Sequence, residues 1–354
     1  MGVTEDRRRP LHVLLVEVPG NGLVRIECEA TAAAAGHILA VHPAESDVLL
    51  VCGTPGPELQ TLLDRVWDQM PYPKHRATLT RPDEIATVLG AAQDALANRP
   101  AQRSAAREGQ DTIDHADESM HHDDMTADGH DHTSMDHMSM SGPGGYPLAD
   151  GADDRDGLEM DVLHRRLGPI LPAWPAGVVL DVTLAGDTIT GASASMIDVD
   201  DYQHAEPQNV AAIALDQAAQ VLAVAGWDAA AARTLRVRDL AVTGRRDQAR
   251  KRLLPLRRRV ERSLLLRWSL NGLQVRPGVD VRTVLLARLE RATVSLNAAQ
   301  FEPEPSTTAD EIPALIEGRD IGSARLIVAA LTVHPGRRTD ITEQAGTTRH
   351  PHHG

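Results

Sequence analysis

Aromatic side chains are scarce: one Phe, three Tyr and four Trp make up 2% of 354 residues. The core must then be built from Val, Leu, Ile and Ala, which fill space less specifically than rings and argue against a large rigid pocket. Cysteine is scarcer still. Cys28 and Cys52 are too few for a disulfide scaffold and fit a reducing compartment. No window approaches the roughly 20 apolar residues that a membrane-crossing helix needs. The opening MGVTEDRRRP carries no apolar signal core, so the expectation is a cytoplasmic chain, soluble or peripheral to the membrane. A glycine-rich nucleotide fingerprint is also missing, which counts against NADH oxidation by this chain alone.

What the sequence does hold is unevenly spread. Asp111 to Pro143 reads DTIDHADESMHHDDMTADGHDHTSMDHMSMSGP, with eight Asp, one Glu, no Lys or Arg, and Ile113 as its one large aliphatic. Such a stretch cannot bury enough apolar surface to offset the entropy of ordering it. A disordered His/Met/Asp-rich linker is expected over 111–150. It separates an α/β domain over 1–110 from a β-hairpin-plus-helical domain over 151–335, and a flexible tail occupies 336–354. The linker also concentrates metal donors: His115, Met120, His121, His122, Met125, His130, His132, Met135, His137, Met138 and Met140. Imidazole suits copper, nickel and zinc, and thioether favours Cu(I). Two readings stay open, a solvated acidic tether and a weak multisite binder of copper, nickel or zinc. His350, His352 and His353 form a second small group, equally well read as a frayed tail.

In the first half, Leu11–Val18 reads as a buried strand, Leu23–Ala35 as a helix stopped by Gly36, and Ile38–Val41 and Asp47–Cys52 as strands. Glu58–Gln69 reads as a helix with Leu59, Leu62, Leu63, Val66 and Met70 in one stripe. A last helix is expected over Pro82–Asn98. Alternating strands and helices predict a small parallel sheet. In the second half, Val178–Leu184 and Thr188–Ala192 predict a β-hairpin. Helices follow: one to Gly226, a second capped by Asp228, a third opened by Pro255 and ended at Asn271-Gly272, a fourth from Asp280, and two more over 309–317 and 319–333.

Two stretches of the first half carry a family resemblance. His-Pro-Ala-Glu-Ser-Asp-Val-Leu-Leu-Val-Cys-Gly-Thr-Pro-Gly (His42–Gly56) and Leu-Leu-Asp-Arg-Val-Trp-Asp-Gln-Met-Pro-Tyr-Pro-Lys (Leu62–Lys74) resemble the B-type subunit of NADH–quinone oxidoreductase, respiratory complex I. That subunit is kin to the small subunit of nickel–iron hydrogenases. The resemblance implies an α/β fold that in the family holds a four-iron–four-sulfur cluster beside a quinone site. Such a cluster needs four ligands, usually thiolates. Where the family has a Cys pair, Arg25–Thr31 offers Cys28 alone, a vestigial cluster position. The downstream pair is missing after Pro73. No iron–sulfur cluster is expected, and both Cys read as small buried apolar residues.

A third stretch, Leu167-Gly-Pro-Ile-Leu-Pro-Ala-Trp-Pro-Ala-Gly-Val-Val-Leu-Asp-Val-Thr-Leu-Ala-Gly-Asp187, resembles the opening of the D-type (49 kDa-like) subunit, kin to the hydrogenase large subunit. Leu171 stands where that family has a His near the quinone head group. No Cys in this half could ligate nickel and iron, and neither His164 nor His204 falls on a family position.

Charge adds one more feature. Arg236–Trp268 holds twelve Lys and Arg against Asp239, Asp247 and Glu261, in a chain of net charge −14. Arg257, Arg258, Arg259, Arg262 and Arg267 fall on one helix whose other face holds Leu256, Val260 and Leu264. A solvated or subunit-docking face is the first reading and phospholipid contact the second. Nucleic acid is not expected, because stacking aromatics are nearly absent around it.

The resemblance implies a non-catalytic accessory subunit of a complex I-like or hydrogenase-like assembly, with other subunits as partners and a structural or assembly role. A metal-handling protein that uses the linker is the alternative. A subunit that retains quinone oxidoreductase activity is the third reading, weakened by the missing redox ligands.

Overall fold

The computed structural model describes residues 9–109, 150–153, 159–198, 209–297 and 304–334. The linker expected over 111–150, except Asp150, and the tail expected over 336–354 lie outside the described residues.

The first half folds as expected, around a parallel four-stranded sheet of order β2-β1-β3-β4. Its strands are β1 (His12–Glu17), β2 (Ile38–Leu39), β3 (Val48–Cys52) and β4 (His75–Leu79). Helices α1 (Gly22–Ala34), α2 (Pro57–Asp68) and α3 (Ile85–Ala97) connect and flank them, and a further helical segment, α4, covers 99–109. All five residues of β3 are fully buried, because a strand central to a parallel sheet is covered on both faces. The two-residue period sorts them. Val48, Leu50 and Cys52 pack with Cys28 and Ala32 of α1 and with Leu89 and Ala92 of α3. Leu49 and Val51 face the other way, onto Leu59 and Leu63 of α2. The stripe read on α2 is in place, with Leu59, Leu63 and Met70 buried and Leu62 and Val66 half-buried. Strand β4 was not legible in the sequence. It is an edge strand whose His75 and Arg76 are partly solvated and whose Leu79 alone is fully enclosed.

In the second half the expected hairpin is β7 (Val178–Ala185) and β8 (Thr188–Met196). It belongs to a larger antiparallel sheet of order β5-β6-β7-β8, with β5 (Asp150–Asp153) and β6 (Glu159–Leu167) on its outer side. The helical body comprises α5 (Val210–Val224), α6 (Asp228–Val242), α7 (Arg246–Glu261), α8 (Leu264–Leu270), α9 (Val281–Asn297), α10 (Ile312–Ile316) and α11 (Ile321–Ala330). Short pairings between them are β9 (Gln274–Arg276) with β10 (Val279–Asp280), and β11 (Thr307–Thr308) with β12 (Val333–His334). One apolar core runs through this body and reaches the inner face of the hairpin through Val178, Leu180, Val182 and Ile189.

Three local expectations need correction. Pro255 does not open a helix; it lies inside α7, which starts at Arg246. Asp228 is the first residue of α6 and makes no side-chain cap, whereas Asn209 and Ser263 do cap α5 and α8 through Ala212 N and Leu266 N. The basic helix is also not continuous. It ends at Glu261, the chain turns at Arg262-Ser263, and α8 begins with a new phase. Leu264 therefore leaves the buried row of Leu256 and Val260 and is 77% exposed.

Candidate functional site

In a doubly wound sheet, ligands favour the crevice at the carboxyl ends of the strands where the strand order reverses. Here that point lies between β1 and β3, above Val18–Asn21 and Gly53–Gly56. The chain's own second half covers it. Gly177, ahead of β7, comes so close to Pro19 that an added Cβ would lie 2.6 Å from its ring. Val179 and Ile197 join Leu14, Val16, Leu49 and Val51 in a common core.

Asp198 completes this cover. Its carboxylate accepts hydrogen bonds from the N–H of Glu58 (3.3 Å) and of Leu59 (3.0 Å), at the first turn of α2. A helix N-terminus carries free donors and partial positive charge, so it is a natural anion site. The protein fills it with its own anion. Asp198 has a left-handed backbone, φ 52°, which Asp and Asn tolerate better than other non-glycine residues. Asp198→Asn should therefore stay within about 0.5 kcal/mol of the parent protein, whereas Asp198→Ala, which loses the cap, should cost about 1–2 kcal/mol in urea unfolding. Equal stability of the two variants would refute the capping role.

On the other side of the sheet, the second contact between the halves is ionic. Arg25 on α1 reaches Glu17 at the end of β1 (2.7 Å), Glu29 one turn along α1 (2.5 Å), and Asp216 on α5 (2.5 Å). Arg238 on α6 meets Asp216 and Glu29 at 2.5 Å each, and Asp239 at 2.9 Å. Gln220 donates to Asp216 at 3.1 Å. Arg25, Asp216, Arg238 and Glu29 thus form a closed ring of alternating charge that joins α1 to α5 and α6. The Arg238 side chain is 1% exposed and that of Asp216 5%.

The titration tendencies follow from this geometry. Burial alone would raise the Asp216 carboxyl, but the Arg25 and Arg238 guanidiniums outweigh it and hold the group below its ordinary range. Burial pushes Glu17 up despite Arg25, and pushes Asp239 up despite Arg238. Burial would lower both arginines; the surrounding carboxylates win and raise them. Charges this enclosed persist only because each has partners.

Cys28 and Cys52 lie beside the ring and are both fully buried. The neighbouring Cys28 thiol, followed by burial, pushes the Cys52 thiol up from its ordinary value. A thiol held protonated in an apolar core is a poor metal ligand. Two buried sulfurs also fall short of the four donors that a four-iron cluster needs. The linker donors from His115 to Met140 lie outside the described residues. Among the described residues, no group of three or more His, Cys, Asp or Glu is arranged to hold a metal ion. A groove of about 780 Å³ lies at the opposite, amino ends of β1, β3 and β4, bordered by Arg9, Asp47, Tyr72, Arg99 and Arg103.

Sequence reasoning singled out Cys28 but missed the ring around it. The available signal was Asp216, the only charged residue in the fifteen of α5. A lone carboxylate on an otherwise apolar helix needs a buried cation. Compared with family models, curated proteins and solved structures, the chain matches none.

Proposed function

We propose that this chain is a non-catalytic accessory protein of a complex I-like or hydrogenase-like oxidoreductase assembly, with a structural or assembly role. In it, a B-type-like and a D-type-like module are joined as one body. The observation that carries this reading is the seam itself. Two of the stretches that bear the resemblance, His42–Gly56 and Leu167–Asp187, meet there: Leu49 and Val51 of the first share a core with Ile170 and Val179 of the second. The place where such a module would keep a redox centre is given over to packing, a self-supplied helix cap and a thiol pair. Electron transfer needs a centre that these side chains do not supply. What the arrangement does supply, among the described residues, is a joined core whose buried side-chain polar atoms are all paired.

The reading is tested on the full chain, tagged and purified from its native cells. Iron and acid-labile sulfide should be absent, there should be no broad visible charge-transfer absorbance, and both thiols should resist a thiol reagent until the protein is unfolded. On native gels the chain should co-migrate with subunits of an oxidoreductase assembly. Stoichiometric iron and sulfide, or migration of the chain only as a free species, would overturn the proposal.

A further inference from the structure

The corner between α7 and α8 carries the most exposed large apolar side chains of the described residues. Leu264 is 77% exposed, Leu265 78% and Trp268 86%. At about 100° per residue, these three point away from Leu266 and Leu270, which face the core. Among the described residues nothing covers this Trp and these two Leu gathered on one outward turn, whereas scattered single residues are the norm at a surface.

The unpaired charges around them, among the described residues, are of one sign. Arg258 and Arg262 stand one turn apart at the end of α7, and Arg267 lies within α8 between the exposed apolar residues. All three are exposed, and none forms an ion pair among the described residues. Their neighbours differ: Arg257 is engaged by Glu261 and Glu290, and Arg259 lies over the Trp227 ring at 5.6 Å. Glu261, the nearest acid, is half-buried and held by Arg257. The patch is therefore an apolar tip with free guanidiniums beside it, on a chain whose overall charge is −14.

We infer that Leu264, Leu265 and Trp268, flanked by Arg258, Arg262 and Arg267, form a docking surface for an anionic phospholipid bilayer. Trp partitions to the boundary between headgroups and acyl chains, Leu enters just below it, and arginines reach anionic phosphates while their stems stay in the apolar zone. No described helix is long and apolar enough to cross a membrane, so the contact is one of lying on the surface. A protein partner would instead need a complementary concave face. The acidic remainder of the molecule is repelled by such a bilayer, which would orient the chain with this corner inward. This inference does not depend on the function proposed above.

The test is flotation of the full chain with vesicles of phosphatidylcholine alone and of phosphatidylcholine and phosphatidylglycerol in equal parts. The anionic vesicles should carry the protein, and the neutral ones should bind it at least about tenfold more weakly. Tryptophan emission should shift to the blue on binding, since Trp268 leaves water. Leu264→Ser/Leu265→Ser/Trp268→Ser should lose binding by about tenfold or more. Arg262→Gln/Arg267→Gln should lose less, and its residual binding should be less sensitive to salt. Both variants alter exposed positions, and an unchanged circular dichroism spectrum and unfolding midpoint will show that they fold. No flotation with anionic vesicles, or equal flotation of the triple-serine variant, overturns the inference. So does self-association through this corner, seen as a concentration-dependent dimer that the triple-serine variant abolishes without any vesicle binding by the parent chain.

Discussion

Asp216→Asn should lower the unfolding free energy at neutral pH by about 3–5 kcal/mol, the range for removing one partner of a buried ion pair. The substitution preserves volume and leaves an amide that can still accept a hydrogen bond. What it removes is the more deeply buried of the two anions shared by Arg25 and Arg238, 2.5 Å from each. Both guanidiniums keep Glu29, but Arg238 is 1% exposed and cannot recruit water in its place. The pH dependence identifies the cause. Asp216 titrates below its ordinary 3.8 in the folded chain, so its stabilisation is complete above the unfolded carboxylate value, about 3.9, and is lost as pH falls through the lower folded value. The variant has no such group. The stability difference between parent and variant should be flat from neutral pH to about pH 5 and then narrow in stronger acid. Glu17 and Asp239, both raised by burial, contribute with the opposite sign and gain protons in the folded state first. The difference between the two proteins is therefore the diagnostic quantity, rather than either curve alone. A gap that stays constant down to about pH 2 would show that Asp216 acts by shape and not by charge.

The same residue marks the limit of what sequence patterning reveals. Alternation and helical spacing are driven by apolar burial, and they placed β1, α1, β3, α2 and the β7–β8 hairpin close to where they stand. They failed where polar residues occupy ordered positions. Strand β4 starts with His75-Arg76 and β6 ends with Arg165-Arg166-Leu167, so neither shows a buried face to the eye. The α7–α8 break is also local chemistry rather than pattern: Ser263 caps α8 through Leu266 N at 3.3 Å, which favours a new helix over continuing the old one. That single cap turns Leu264 from a core residue into a surface one. The ring was hidden for a different reason. Its members come from positions 25, 29, 216 and 238, with Glu17 and Asp239 paired to its arginines, and nothing short of the folded chain brings them together. Cys28 was noticed for its sulfur, while the working contacts of that turn of α1 belong to Arg25 and Glu29 on either side of it.

Arg288 should be as sensitive as Asp216, for a reason of geometry more than charge. Its side chain, on α9, is completely enclosed. It donates to the carbonyl oxygens of Ala329 (3.2 Å), Ala330 (2.7 Å) and Gln217 (3.4 Å), to the hydroxyl of Thr332 (3.4 Å), and to Glu304 (3.0 Å). Ala329 and Ala330 end α11, where the last carbonyls of a helix have no partner within it. One guanidinium thus satisfies the end of α11 while it ties α9 to α5. Burial pulls its pKa down and Glu304 pulls it back, so the charge is retained at a desolvation cost that these acceptors offset. Arg288→Met fills the space but leaves the carbonyls without donors in a dry core, and should cost about 3–5 kcal/mol. Arg288→Lys keeps the charge, yet an ammonium cannot reproduce the planar fork that reaches both carbonyls and Glu304 together, so it should recover less than half of the loss. Hydrogen exchange separates local from global failure. In both variants the amides of α11 should lose more protection than those of β1 and β3, which lie in another core. A methionine variant within about 1 kcal/mol of the parent, or a loss of protection spread evenly over both cores, would show that apolar packing alone holds α11 in place.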